Sequence, residues 1–378
     1  MKISMVNLQA EYPELKDEVE QAVKKIFEKS NFVLGEEMEN FEKEFARFCQ
    51  TKYAAGVASG TDAIRIALMA CGIKNGDEVI TTPFTFIATV EAIRHAGATP
   101  VFADIIGKTY NIDPAQIEKK ITSRTKALLP VHLYGHPAEM EPILETARKH
   151  KLFVIEDCAQ SCSAKYKTGG AWKYVGSLGD CGAFSFFPAK NLGCFGDGGA
   201  ITTDNREIYE KILTIRNHGQ TKRYHSEIDG FNSRLDTLQA AVLSIKLKRL
   251  GQWTERRNRI AEAYNRLLKD TAAVPVANPN ARHSFNYYTI CFADKDTRED
   301  VQKHLLANGI ACQIYYPISA HLQKAMEYLG YKKGDLPVAE DLQDRILSLP
   351  MSPKLLDEEI RVITDEVKHA VKLCVKKG

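Results

Sequence analysis

The chain has 378 residues, 44% of them apolar and 26% charged, enough for two or three globular units, and this composition excludes intrinsic disorder. Its 51 basic and 48 acidic side chains leave a formal charge of +3, too small a surplus for a general nucleic-acid binder. No run of about 18 apolar residues occurs, so no membrane partner is expected. The acidic stretch MKISMVNLQAEYPELKDE predicts a chain that stays in the cytoplasm.

In chain order, residues 13–49 read as helical and charge-rich. Ala54–Ala58 is a short strand, and Ser59-Gly60-Thr61-Asp62 then opens a helix. Its apolar Ile64, Ala67, Leu68 and Cys71 recur at i, i+3, i+4 and i+7. Further strands are predicted over Asp77–Thr82, Pro100–Ile105, Ala127–Leu133, Leu152–Ile155 and Gly182–Phe186, with helices over Thr85–Ala96 and Pro137–Lys151. The last two strands are continuous apolar runs, the kind buried on both faces. This alternation implies a mostly parallel sheet covered on both sides. Arg234–Leu268 reads as one long helix broken near Gly251. Beyond it, strands at Ser284–Phe292 and Ala311–Tyr316, a helix at Thr297–Ala307 and a closing helix at Leu355–Lys376 predict a small α+β unit. The expected division is residues 1–250 and 251–378. The nine cysteines are odd in number and scattered, and Cys158 and Cys162 lack a second pair at zinc spacing. Reduced, buried thiols and no metal are expected.

Three short segments carry chemistry. Lys190 follows an apolar strand end and precedes four glycines within nine residues. It is either a desolvated, nucleophilic amine or a surface lysine before a flexible loop. Asp157 lies just past a buried strand, where open α/β sheets take their ligands; it either holds a cationic group or caps a helix. Ala58-Ser-Gly-Thr61-Asp62 offers helix-end N–H groups to an anion, or is an ordinary cap. Neither GxxxxGK[ST] nor GxGxxG after a strand is present, so a nucleotide-sugar dehydrogenase lacks its dinucleotide loop. Together, an anion site, a strand-end carboxylate and a lysine are the parts that hold pyridoxal 5′-phosphate (PLP).

Six blocks then identify a resemblance across nearly the whole chain: ASGTDA (58–63), TPFTFIAT (82–89), PVHLYG (130–135), VIEDCAQS (154–161), SFFPAKNLGCFGDGGA (185–200) and FNSRLDTLQAA (231–241). The sequence resembles the DegT-type sugar-nucleotide aminotransferases. That resemblance implies the aspartate aminotransferase fold (PLP fold type I): a large domain with a mostly parallel central sheet, plus a smaller C-terminal α+β domain. It also implies Lys190 as the Schiff-base lysine, Asp157 as partner of the pyridine nitrogen and Gln160 as partner of the ring hydroxyl. Phe86 corresponds to the ring stacked on the cofactor. Gly60, Thr61, the backbone of Asp62, and Ser185 correspond to the phosphate cradle. Asn232 corresponds to a residue reaching the phosphate of the partner subunit, so a homodimer with shared sites is implied. His132 and His136 are expected to pack or to make structural hydrogen bonds.

The substrate expectation rests on the same resemblance. The loop after Lys190 resembles members that aminate a 3-keto sugar on a nucleotide, UDP or dTDP, and the stretch Asn217–His225 resembles those that aminate UDP-linked 3-keto-uronic acids. L-glutamate is the implied amino donor, and cell-surface polysaccharide or related amino-sugar biosynthesis the implied setting. Arg234 could meet a sugar carboxylate, but Tyr315 stands where relatives commonly have His, which leaves a neutral 6-deoxysugar equally open. The alternatives are a 4-keto-sugar aminotransferase, whose loop more often reads Thr-Thr-Gly-Glu-Gly-Gly, and a PLP or PMP sugar dehydratase. The dehydratase type with a histidine base replaces the lysine found here at 190. A non-catalytic regulatory protein would not need Lys190, Asp157, Gln160 and Ser185 together.

Overall fold

Seven strands make one sheet whose carboxyl edge carries most of the chemistry. The computed structural model describes residues 2–276 and 278–375. In chain order its first nine strands are β1 (Tyr53–Val57), β2 (Glu78–Thr81), β3 (Thr99–Phe102), β4 (Thr125–Leu129), β5 (Phe153–Asp157), β6 (Lys165–Thr168), β7 (Ala171–Tyr174), β8 (Cys181–Ser185) and β9 (Gly199–Thr203). Seven of them lie in the order β1-β9-β8-β5-β4-β2-β3, while β6 and β7 form a hairpin outside. The links among β3, β2, β4, β5 and β8 are parallel, and β9 is antiparallel to both β8 and β1. The sheet is therefore mostly parallel, as the alternating pattern predicts. Every residue of β9 is buried, but the glycines before it masked the strand in the sequence.

Four helices precede or flank the site: α1 (Lys16–Lys29), α2 (Glu36–Cys49), α3 (Gly60–Ala70) and α4 (Ile87–His95). Helix α3 starts where Ser59, in extended conformation, accepts the Asp62 N–H on its Oγ at 3.1 Å. Its apolar face, with Ile64, Ala67 and Leu68, packs in the same core as Val79, Leu129, Ile155, Ala183 and Ile201 from five strands. Burying such a face is the main stabilisation of a helix this short.

The second half departs from expectation in three places. The long helix is broken near Gly251 as expected, into Thr237–Leu247 and Leu250–Leu268, but it starts three residues later than Arg234. Residues 234–236 stay outside because Asp236 is extended and the Thr237 N–H bonds to the Phe32 carbonyl. Ala311–Tyr316 is not a strand: it makes one isolated bridge, Gln313 to Ser348, and the partner of Tyr288–Cys291 is Ile346–Leu349, antiparallel. Its last two residues, Tyr315 and Tyr316, line the cavity described below. The closing helix spans Asp357–Val375, and Lys376 lies outside the described residues. Tyr264, Tyr288, Ile290, Leu305, Leu347 and Ile363 form a core in this half, which Ile3 joins through a parallel bridge to Ile310. Among the described residues no disulfide forms, and no helix is long and apolar enough to cross a membrane.

Candidate active site

Because β9 reverses direction twice over, β1 runs the same way as β8, β5, β4 and β2, and all five end at one edge. The segments leaving that edge surround a cavity of about 330 Å³. Gly60, Thr61, Phe86, Asp157, Gln160, Ser185 and Lys190 all line it, and Tyr315 closes it from the C-terminal half. Three predicted residues do not line it. Asp62 bonds its carboxylate to Arg65 and Ser233, both at 2.7 Å, and its N–H is used by Ser59. Asn232 is exposed, and Arg234 donates to Asn217 Oδ1 at 2.9 Å.

The Gly60 and Thr61 N–H groups, first in α3, have no protein acceptor among the described residues. Gly60 is also the residue that lets α3 approach β8, since a Cβ there would lie 2.7 Å from Ser185 Cβ. Asp157 is 4% exposed; Oδ1 accepts the Ala159 N–H at 3.0 Å and Oδ2 accepts the Thr89 hydroxyl at 2.8 Å. Burial raises its pKa, opposed by those two bonds and by Lys190. Lys190 is half-buried, and loss of hydration lowers its pKa to about 8, with the Asp157 charge pulling it back. Gln160 is clamped at both ends: Oε1 accepts the Tyr134 N–H at 2.7 Å and Nε2 donates to the Tyr316 hydroxyl at 2.9 Å. One Gln160 N–H is left over. Phe86 presents an exposed ring 5.7 Å from that of Tyr316, and Tyr315 stacks on Tyr287 at 4.0 Å.

Thr85, Thr89, Tyr287 and Tyr316 are cavity residues that sequence reasoning missed. Thr85 and Thr89 are four apart at the start of a predicted helix, a spacing that puts them on one face and could have exposed them. His132 packs and makes structural hydrogen bonds. Its Nδ1 accepts the Ala138 N–H at 3.0 Å, so Nε2 carries the proton given to Glu156 at 2.9 Å. Glu156 also accepts the N–H groups of Gly176, Leu178 and Gly179. Together with Cys158 these two residues have the spacing of a metal triad, yet the nitrogens and carboxylate oxygens are already engaged in protein hydrogen bonds. His136 is neutral, its pKa lowered to about 4 by burial.

A lysine whose pKa is lowered by burial, facing a buried carboxylate and helix-end donors at the carboxyl edge of an α/β sheet, defines the class: a PLP-type enzyme of the aminotransferase fold. Comparison with known proteins gives the particular family. The chain belongs to the DegT/DnrJ/EryC1/StrS aminotransferase family, matched over residues 13–368, and is an aminotransferase. It is 44% identical over 371 residues to a pleiotropic regulatory protein of Geobacillus stearothermophilus, covering 97% of this chain and 98% of that one. It is 43% identical over 370 residues to a UDP-N-acetyl-3-dehydro-alpha-D-glucosamine 3-aminotransferase of Acidithiobacillus ferrooxidans, covering 98% of each. The crystal structure of S. venezuelae DesV in complex with ketimine intermediate superposes with a TM-score of 0.94 at 40% identity, over 98% of this chain and 99% of that one.

Proposed function

We propose that the protein uses PLP held in this cavity to move an amino group from L-glutamate to C-3 of a 3-keto sugar linked to UDP or dTDP. The observation that carries this reading is Lys190 and Asp157 in one cavity beside the open N–H groups of α3. Bound PLP supplies an electron sink for negative charge at the amino-bearing carbon. The residues fit the group: Gly60, Thr61 and Ser185 would hold its phosphate, Asp157 its ring nitrogen, and the spare Gln160 N–H its ring hydroxyl. Phe86 would cover one ring face. With a pKa near 8, Lys190 takes and returns the proton at the amino-bearing carbon of the substrate.

The same reading makes the protein a cytoplasmic homodimer whose product serves cell-surface polysaccharide or a related amino-sugar route. Exposed Phe86 and Phe187 line the cavity, and exposed Phe195 follows in the same loop. A two-fold partner would cover them and bring Asn232 and Arg234 to the neighbouring site. The division at residues 250 and 251 is supported by Leu250 packing with Phe41 and Leu243, while Ile260 onward joins the C-terminal core.

The test is to incubate the pyridoxamine form with UDP- and dTDP-linked 3-keto and 4-keto sugars and follow the visible absorbance of PLP. Return of absorbance with 3-keto sugars is expected, and with Lys190→Ala turnover is lost. Response to 4-keto sugars alone would overturn the C-3 assignment.

A further inference from the structure

The Thr85 and Thr89 hydroxyls are 2.8 Å apart, and Thr89 donates to Asp157 Oδ2 at 2.8 Å. Both threonines are nearly inaccessible to water, at 4% and 2% exposure. A hydroxyl has one proton to give. Thr89 gives its proton to the carboxylate, so Thr85 must be the donor in the bond between them. Proton order is thereby fixed, from Thr85 to Thr89 to Asp157. The other carboxylate oxygen takes the Ala159 N–H, a contact made within the Asp157 turn itself. Thr89 comes from α4, a different element, and so sets the rotation that the local contact leaves open.

We propose that Thr89, backed by Thr85, is a positioning residue that fixes the charged Asp157 carboxylate for the pyridine nitrogen of the cofactor. This rests on the assignment of Asp157 made above. Groups facing the carboxylate come from every side. Lys190, from the loop after β8, favours its charge, while His132, from the loop after β4, is engaged by Glu156 and the Ala138 N–H. Tyr316, from the C-terminal half, and Cys158, next in the chain, are both held in their neutral forms by burial. Against the cost of burial, Thr89 is thus one of two direct hydrogen-bond donors that keep Asp157 ionised.

The experiment titrates apoenzyme with pyridoxamine 5′-phosphate by equilibrium dialysis from about pH 5 to about pH 9, across the range in which a buried carboxylate titrates. This probe binds without a covalent link to Lys190. Thr89→Val keeps the shape and removes the hydroxyl; it should bind about tenfold more weakly on the acid limb, the effect of one hydrogen bond to a charged group. The limb itself should move up by about one pH unit. Thr89→Ser should restore the profile, and Thr85→Val should shift it less, in the same direction. A Thr89→Val profile superimposable on the wild type overturns the proposal. If that variant does not fold, an unshifted Thr85→Val profile does so instead. Asp157→Asn separates the two layers: wild-type affinity across the whole range in that variant would remove the Asp157 assignment itself.

Discussion

An ammonium group taken out of water loses hydration that one carboxylate only partly replaces, and this is the situation of Lys190. Its folded pKa of about 8 lies below the ordinary 10.5. The unfolded chain keeps the proton up to the higher value, so the folded state carries a penalty that is complete below about pH 8 and fades between 8 and 10.5. Apoenzyme bearing Lys190→Met should accordingly melt at a higher temperature than wild-type apoenzyme at neutral pH. Calorimetry should find the gap closing as the pH approaches 10.5, and a gap independent of pH would contradict the argument. The place of Lys190 after a buried strand and before glycines left two readings open, a reactive amine or a surface lysine, and the fold puts it in the cavity wall. Its pKa could not be read there, because it follows from burial in the folded chain and from the opposing charge of Asp157.

At the scale of elements, the α3 N-terminus is positioned by a contact with β9. A Cβ at Gly199 would lie 2.4 Å from the Ser59 carbonyl oxygen and 2.8 Å from that of Phe184. Both obstacles are backbone, so neither can swing aside. Gly199→Ala should cost about 1–3 kcal/mol, as overpacking does, and push Ser59 together with the Gly60 and Thr61 donors off their place. Urea unfolding and phosphate affinity of the apoenzyme should fall together. Gly251→Ala is the control: nothing lies within 4 Å of a Cβ there, in a helix, and a gain of about 0.4–1 kcal/mol is expected. A Gly199→Ala protein as stable as wild type would refute the packing account. The glycine run after Lys190 looked like loop flexibility in the sequence. In the fold, Gly193 and Gly199 instead permit close backbone approach, against the Pro188 and Ser59 carbonyl oxygens.

For the whole molecule, the residues that the resemblance ties to cofactor or substrate divide into those lining the cavity and three outside it, Asp62, Asn232 and Arg234. In the proposed two-fold dimer, Asn232 and Arg234 would reach the neighbouring site. Mixing Lys190→Ala with Asn232→Ala chains under exchange should restore activity in about a quarter of sites, since random pairing leaves one intact site in each mixed dimer. Complete absence of complementation, with mixed dimers demonstrated by tagged chains, would count against sharing. The sequence by itself determined the strand–helix alternation, the parallel sheet and the cluster of Lys190, Asp157 and Gly60, because periodicity and strand-end chemistry are local properties. Tertiary structure alone decided the antiparallel insertion of β9 and the pairing of Tyr288–Cys291 with Ile346–Leu349. It also brought Thr85, Thr89 and Tyr316 to the site. Those outcomes depend on which distant segment satisfies a buried hydrogen bond or fills a packing gap, and spacing along one chain does not carry that information.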